Sequence, residues 1–218
     1  MWGVILAGGR SSRMGGVEKP LLEICGVRML DIVASVLKRS ELEGFCVAVS
    51  RNAPKTWEYC KRRGYDFVDT AGRGYHEDLS TLLRKFQSFV SVACDLPFLQ
   101  AWHVNKLVRA FSCEGGHKGK SITVAVPLKL MPKGFEPSHV FELQVESGDS
   151  SPKQPAKLVA CGLNVVTDTQ NSSVLIFDDP LLAVNVNTPH ELELARHIAK
   201  QLDYYKVQAS VKTWTTRR

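Results

Sequence analysis

Val4-Ile5-Leu6-Ala7-Gly8-Gly9-Arg10-Ser11-Ser12-Arg13-Met14-Gly15-Gly16-Val17-Glu18-Lys19-Pro20 is the stretch from which the rest of the chain can be read. An apolar run enters it, a loop of glycine, serine and arginine follows, and a lysine before a proline closes it. Trp2–Ala7 lacks polar alternation, as expected of a parallel strand covered on both faces. The loop behind it has the chemistry of an anion cradle. Glycines let backbone N–H groups approach phosphate oxygens, and clustered N–H groups in a turn favour negative charge. Arg13 adds a planar charge and Lys19 a compact one. Two common phosphate loops are excluded by spacing: Gly9 and Gly15 have no lysine directly behind the second glycine, and Gly8-Gly9 are adjacent rather than one residue apart. A surface turn that is merely rich in glycine would not need Arg10, Arg13 and Lys19 together.

Outward from this loop, strand and helix signals alternate. Leu30, Val33 and Leu37 recur at helical spacing, giving a helix over about 29–40. Phe45–Ser50 reads as the next strand, Asn52-Ala53-Pro54 as the start of a helix through Arg63, and Gly64 as its end. A short strand over 66–69 opens a second loop at Asp69-Thr70. Leu79, Leu82, Leu83 and Phe86 then mark a helix that begins near Glu77 or Asp78, acids that would suit its positive end. Phe89–Cys94 is the central strand candidate and runs into Asp95-Leu96-Pro97. A carboxylate at the C-terminal end of a buried parallel strand stands where ligands bind in open α/β sheets, although Asp95 could instead cap the helix marked by Trp102, Leu107, Val108 and Phe111.

Ser121–Pro127 is a further strand, 133–157 is polar and reads as a loop or flexible hairpin, and Leu158–Val166 returns to strand. Gly162 within that strand suggests a close approach of backbone or ligand. Leu182–Val186 reads as a last short strand. Thr188 with Glu191 forms a capping box, Pro189 fits the first helical position, and Leu192, Ala195, Ile198 and Leu202 form one apolar face. The expectation is one α/β domain over 1–206 with a doubly wound, mostly parallel, Rossmann-like sheet, followed by a basic tail over 207–218.

The chain of 218 residues is 44% hydrophobic and 23% charged, enough for a full core, and its formal net charge of +6 suits an anionic substrate. No apolar run reaches the ~18–20 residues of a membrane span, and no leader pattern opens the chain, which places it in the cytoplasm. Basic residues are scattered and no nucleic-acid module is present. Cys25, Cys46, Cys60, Cys94, Cys113 and Cys161 lack metal or redox spacing and read as reduced, buried thiols. The histidines show no ligand spacing.

The motif L-A-G-G-x-x-S-R-M-G-x-x-x-K-P resembles the signature loop of the nucleotidyltransferases that activate sugars, the molybdenum cofactor and cobamide precursors, the MobA-like family. The unbroken Gly15–Leu21, with Asp69-Thr70-Ala71-Gly72-Arg73-Gly74-Tyr75-His76-Glu77-Asp78-Leu79, is similar to one branch, the archaeal-type GTP:adenosylcobinamide-phosphate guanylyltransferases. That resemblance implies a transferase moving GMP from GTP to adenosylcobinamide phosphate, with pyrophosphate leaving and Mg²⁺ assisting. It places Leu6, Ala7, Gly8 and Gly9 on the nucleotide, Arg13 on the leaving pyrophosphate, Lys19 on the α-phosphate and Asp95 on the metal. The segment Asn185-Val186-Asn187-Thr188-Pro189 matches one whose asparagines complete the metal centre in relatives. Asn52, Asp69 and Thr70 fall at the nucleoside end, with Asp69 the guanine or ribose acceptor unless it only satisfies a turn. Gly74 and Asp78 are carried over to the nucleotide loops, and Gly162 and Asn185 to the acceptor side. The alternatives are a guanylyltransferase for the molybdenum cofactor, a sugar-phosphate nucleotidyltransferase and a non-catalytic GTP-binding regulator. A homodimer is left open.

Overall fold

The computed structural model describes residues 1–113, 117, 119–145 and 154–202. The expected basic tail and the tip of the 133–157 segment lie outside the described residues. Eight strands form one sheet in the order β10-β7-β9-β6-β1-β4-β5, with β8 paired to β9 beside this path. The strands are β1 (Trp2–Leu6), β4 (Gly44–Ser50), β5 (Phe67–Thr70), β6 (Ser88–Ala93), β7 (Ser121–Pro127), β8 (Val140–Val145), β9 (Gln154–Thr167) and β10 (Ser172–Ile176). A separate two-stranded ribbon pairs β2 (Glu23–Ile24) with β3 (Val27–Arg28). β6, β1, β4 and β5 run parallel, as do β7 and β10, whereas β9 runs antiparallel to β6, β7 and β8. This is the mostly parallel α/β architecture that the alternation of signals implied.

Helices cover both faces, as strands apolar on both sides, such as β1, demand. On one face Val33 and Leu37 of α1 (Met29–Lys38), Cys60 of α2 (Pro54–Arg63) and Leu107 of α4 (Ala101–Ser112) pack on Ile5, Val47, Val90 and Val92. On the other, Leu82 of α3 (Tyr75–Phe86) meets Val4, Cys46 and Phe89. α5 (Pro189–Gln201) sets Leu192 and Ala195 against Met29 and Ile32 of α1. Its start is the capping box read from sequence, with the Glu191 N–H donating to the Thr188 hydroxyl. The helix after Asp95 is capped by Gln100, in a box closed by His103, which removes the capping role offered for Asp95.

Two expectations are corrected, and of the loop or hairpin expected over 133–157 the hairpin is found. Leu182–Val186 is not a strand: a 3₁₀ turn spans Pro180–Ala183, opened by the Asp179 side chain accepting from the Leu181 N–H at 2.9 Å. Its apolar residues are buried in the core, which gave the segment the composition of a strand. The polar 133–157 segment is a hairpin in its described part, since β8 pairs with the first half of β9. Cys25 and Cys113 are exposed rather than buried, while burial pushes the thiols of Cys46 and Cys60 up to about 11 and those of Cys94 and Cys161 up to about 12. Among the described residues no helix is long and apolar enough to cross a membrane.

Candidate active site

β1 and β6 end side by side, Leu6 opposite Ala93, so the glycine loop and Asp95 emerge at the same edge of the sheet. The loop is then fixed from behind. Glu18, almost buried, accepts from the backbone N–H groups of Lys55 at 2.9 Å and Thr56 at 2.6 Å, and from the Thr56 hydroxyl at 2.6 Å. α2 has no side-chain cap of its own. The carboxylate at the end of the loop therefore satisfies the start of a helix from another part of the chain, where the helix dipole also favours it. Lys19 is the next residue, and its N–H donates to the Ser11 hydroxyl at 3.1 Å, closing the loop on itself.

From that frame the Lys19 ammonium reaches Asp95 Oδ2 at 2.5 Å and Asn187 Oδ1 at 3.0 Å, and the Arg13 guanidinium reaches the same Asn187 oxygen at 3.0 Å. Asp95 and Asn187 are both buried. The Asn187 segment is held to the end of β6 by the Val186 N–H donating to the Asp95 carbonyl at 3.1 Å. Four residues, drawn from the first loop, the end of β6 and the approach to α5, thus make one chain of contacts: Arg13, Asn187, Lys19, Asp95. In it a single carboxylate faces two cations, leaving net positive charge for a phosphate to meet.

Beside this cluster the sheet edge opens into a cleft of about 390 Å³ lined by Leu6, Gly8, Gly9, Asn52, Thr70 and Asp78 among others. A smaller recess of about 100 Å³ shares Leu6 and Gly9 with it and extends past Ala7 to Lys19 and Asp95. The far wall is the loop 71–74. Asn52 donates from Nδ2 to the Gly72 carbonyl at 2.7 Å, and Asp78 accepts from the Gly72 N–H at 3.0 Å, so both pin that loop as well as line the cleft. Gly72 has φ +64°, and a Cβ there would stand 2.5 Å from Asn52 Nδ2 and 2.6 Å from the Ser50 hydroxyl, so no other residue fits without displacing the wall. The Ser50 hydroxyl in turn donates to the Gly8 carbonyl at 2.7 Å. Gly74 lines the cleft at the start of α3, together with the half-exposed ring of Tyr75.

Asp69 does not join them. Its side chain is exposed and is absent from the cleft lining, while the neighbouring Thr70 is turned inward, its hydroxyl donating to the Val49 carbonyl at 3.1 Å. Successive residues of a strand point to opposite faces, so only one of the pair could enter. Gly162 lies at the other end of the site. It has φ +75°, and a Cβ there would stand 2.9 Å from the Ala93 Cβ and 3.8 Å from Asn185 Oδ1. The structure therefore brings Gly162 and Asn185 together next to the end of β6. Sequence reasoning missed Glu18, Ser50 and Ser138, and gave Glu191 only its capping role. Nothing local in the sequence marks the first three, because each acts on a segment remote in the chain.

A glycine cradle and two cations at the C-terminal ends of parallel strands, continuous with a cleft of nucleoside size, define a nucleotide-binding α/β protein built to handle phosphates. The MobA-like NTP transferase domain matches residues 3–144, and the chain belongs to that family of nucleotidyltransferases. It is 33% identical over 207 residues to the adenosylcobinamide-phosphate guanylyltransferase of Methanocaldococcus jannaschii, covering 91% of this chain and 97% of that protein. It is 30% identical over 199 residues to the molybdenum cofactor guanylyltransferase of Photobacterium profundum, covering 87% and 92%. Among solved structures, CMP:2-keto-3-deoxy-manno-octonic acid synthetase complexed with CTP superposes with a TM-score of 0.67 at 15% identity, over 92% of this chain and 99% of that one, a likeness of fold.

Proposed function

We propose that the protein transfers GMP from GTP to the phosphate of adenosylcobinamide phosphate. An acceptor phosphate oxygen attacks the α-phosphorus in line, the new P–O bond forms, and the bond to the β-phosphate oxygen breaks to release pyrophosphate. No protein nucleophile is needed, so the chain's task is positioning and neutralisation of charge. The observation that carries the reading is the contact chain Arg13-Asn187-Lys19-Asp95 at the mouth of the nucleoside-sized cleft. Lys19 lines the recess with Gly9 and would meet the α-phosphate, and Arg13 the departing pyrophosphate. Asn52, Thr70 and Asp78 line the cleft where the base would enter, and Asp78 takes the place first given to Asp69 as the carboxylate near guanine's N–H donors.

The donor set, all oxygen, suits a hard divalent cation such as Mg²⁺. Among the described residues no group of three or more His, Cys, Asp or Glu side chains gathers, so a metal here would rest on the Asp95 carboxylate and the Asn185 amide oxygen, with nucleotide oxygens and water completing its shell. Asn187, also expected as a ligand, has its amide oxygen engaged by Arg13 and Lys19. When bound, the metal would supply further neutralisation of the triphosphate.

Guanine and the corrinoid acceptor are supported by the full-length likeness to the Methanocaldococcus jannaschii protein. A second reading, guanylylation of the molybdenum cofactor, is favoured by the 30% identity to the Photobacterium profundum protein. The test is to incubate the protein, GTP and Mg²⁺ with adenosylcobinamide phosphate, molybdopterin or mannose 1-phosphate and to identify the GDP-linked product by mass spectrometry. Product from the corrinoid is expected. Product from molybdopterin or the sugar alone would transfer the assignment.

A further inference from the structure

The Asn187 amide has two ends. Its oxygen accepts from Arg13 and Lys19, and its Nδ2 donates to the Ser138 hydroxyl at 3.2 Å. Ser138 lies in the polar segment before β8, which offered no motif. The loop that carries it is nevertheless built onto α5. Phe135 is buried in the cluster with Leu192 and Ala195, and a Cβ on Gly134 would stand 2.7 Å from Leu194 Cδ1. One buried carboxylate then ties both partners to a common point: Glu191 accepts from the Glu136 N–H at 3.0 Å through Oε1, and from the N–H groups of Asn187 at 2.8 Å and Thr188 at 2.9 Å through Oε2. Ser138 is itself exposed, but its segment is held beside Asn187 at Glu136, two residues earlier, through the shared Glu191 carboxylate.

We propose that Ser138 is a positioning residue of the phosphate centre, holding the Asn187 amide with its oxygen toward Arg13 and Lys19 and making the loop before β8 a working part of the nucleotide site. A carboxamide anchored at one end only is free to tilt about its last bond. Anchored at both ends, it presents one oxygen at a fixed point between two cations that would otherwise repel. Removing the hydroxyl frees that oxygen to wander, and the two cations lose their shared partner. The effect falls on ligands that bring phosphate to this centre and spares a nucleoside, which engages the cleft alone. The inference rests on the proposed function only in taking this centre as the seat of the triphosphate.

Calorimetry without any acceptor tests it. Ser138→Ala is expected to weaken GTP about fivefold, the worth of one ordinary hydrogen bond, and to leave guanosine, which has no phosphate, unchanged, while Ser138→Thr, which keeps the hydroxyl, restores GTP binding. Asn187→Ala should weaken GTP at least as much, and adding Ser138→Ala to it should change nothing more, because the serine acts only through the amide. Unchanged GTP affinity in Ser138→Ala would overturn the proposal, as would equal losses for GTP and guanosine or additive losses in the double variant. Should the protein prefer another nucleotide, the same comparison is made with that triphosphate and its nucleoside. Failure of the guanylyl reading is thereby kept apart from failure of this one.

Discussion

Replacing Glu18 by alanine removes one side chain that does two things at once, and both can be measured. Its carboxylate accepts from two backbone N–H groups in the first turn of α2 and from the Thr56 hydroxyl, at 2.6 to 2.9 Å, with Thr56 fully buried. Loss of a helix cap costs about 1 kcal/mol, and each buried donor left unpaired adds about 1–3 kcal/mol, less where water can enter the vacated space. A total of about 2–4 kcal/mol follows, which in a chain of this length lowers the melting midpoint by roughly 5–15 °C. Glu18→Gln keeps one acceptor oxygen without the charge and should fall between alanine and the native residue. Urea unfolding followed by circular dichroism gives the order directly. Turnover should fall with it even below the unfolding range, because Lys19 is the next residue and takes its position from the same anchor. If Glu18→Ala unfolds within about 0.5 kcal/mol of the native protein, the range of ordinary surface changes, α2 does not depend on this carboxylate. If its turnover is also unchanged, the loop is held from elsewhere.

Lys19→Ala should lower turnover about 10²–10³-fold with a much smaller change in nucleotide affinity, and steady-state kinetics showing a loss within about threefold would remove Lys19 from the transition state. GTP should bind more than about a hundredfold tighter than ATP, since polar groups arranged for guanine are left unpaired by adenine; equal affinities by calorimetry would defeat the guanylyl reading while leaving nucleotidyl transfer standing. Gly162→Asp should abolish transfer and weaken GTP less, because it forces a Cβ to within 2.9 Å of Ala93 at φ +75° and sets a negative charge beside Asn185; full activity would remove Gly162 from the site. Burial, opposed by the Asp179 carboxylate, holds the fully buried His103 below the usual histidine value, while its Nδ1 accepts from the Gln100 N–H at 3.0 Å. The unfolded chain takes up that proton near pH 6.5 and the folded one only at lower pH, so this contribution is intact above about pH 6.5 and is lost as pH falls through it. Urea midpoints at pH 7.5 and 5.5 should therefore differ, and His103→Gln should narrow the gap.

Much of the sheet was legible because its strands carry local signals: β1 and β4 are apolar runs, β6 and β7 are apolar but for Ser91 and Thr123, and α5 announces itself by Thr188, Pro189 and Glu191. β10 was missed because Ser172-Ser173-Val174-Leu175-Ile176 is a short edge strand with little to distinguish it from a loop. Leu182–Val186 misled because burial, not pairing, sets its composition. In the site, Arg13, Lys19, Asp95 and Asn187 were found because each belongs to a motif. Asp69 was ranked above Asp78 from sequence, because which face of β5 looks into the cleft, and that the start of α3 turns Asp78 toward it, are set by packing and not by local pattern. Glu18 and Ser138 act across 38 and 49 residues of chain, distances over which no spacing rule operates.

The antiparallel strand accounts for what a wholly parallel sheet could not have built. A parallel strand ends where the site begins, as β1 and β6 do. β9 runs the other way and is 14 residues long, so its second half pairs with β6 through Leu163–Thr167 while its first half projects beyond the end of β6. There β8 replaces β6 as its neighbour, from Gln154 to Val159. Gly162 stands between the two pairings, where its positive φ and missing Cβ let β9 pass directly over Ala93 and beside Asn185. The arm that results reaches the phosphate centre at two places, through Gly162 at Asn185 and through the loop before β8 at Asn187. A ligand too large for the cleft would meet this arm as a wall, and a displacement of the arm is felt at Asn185 and Asn187.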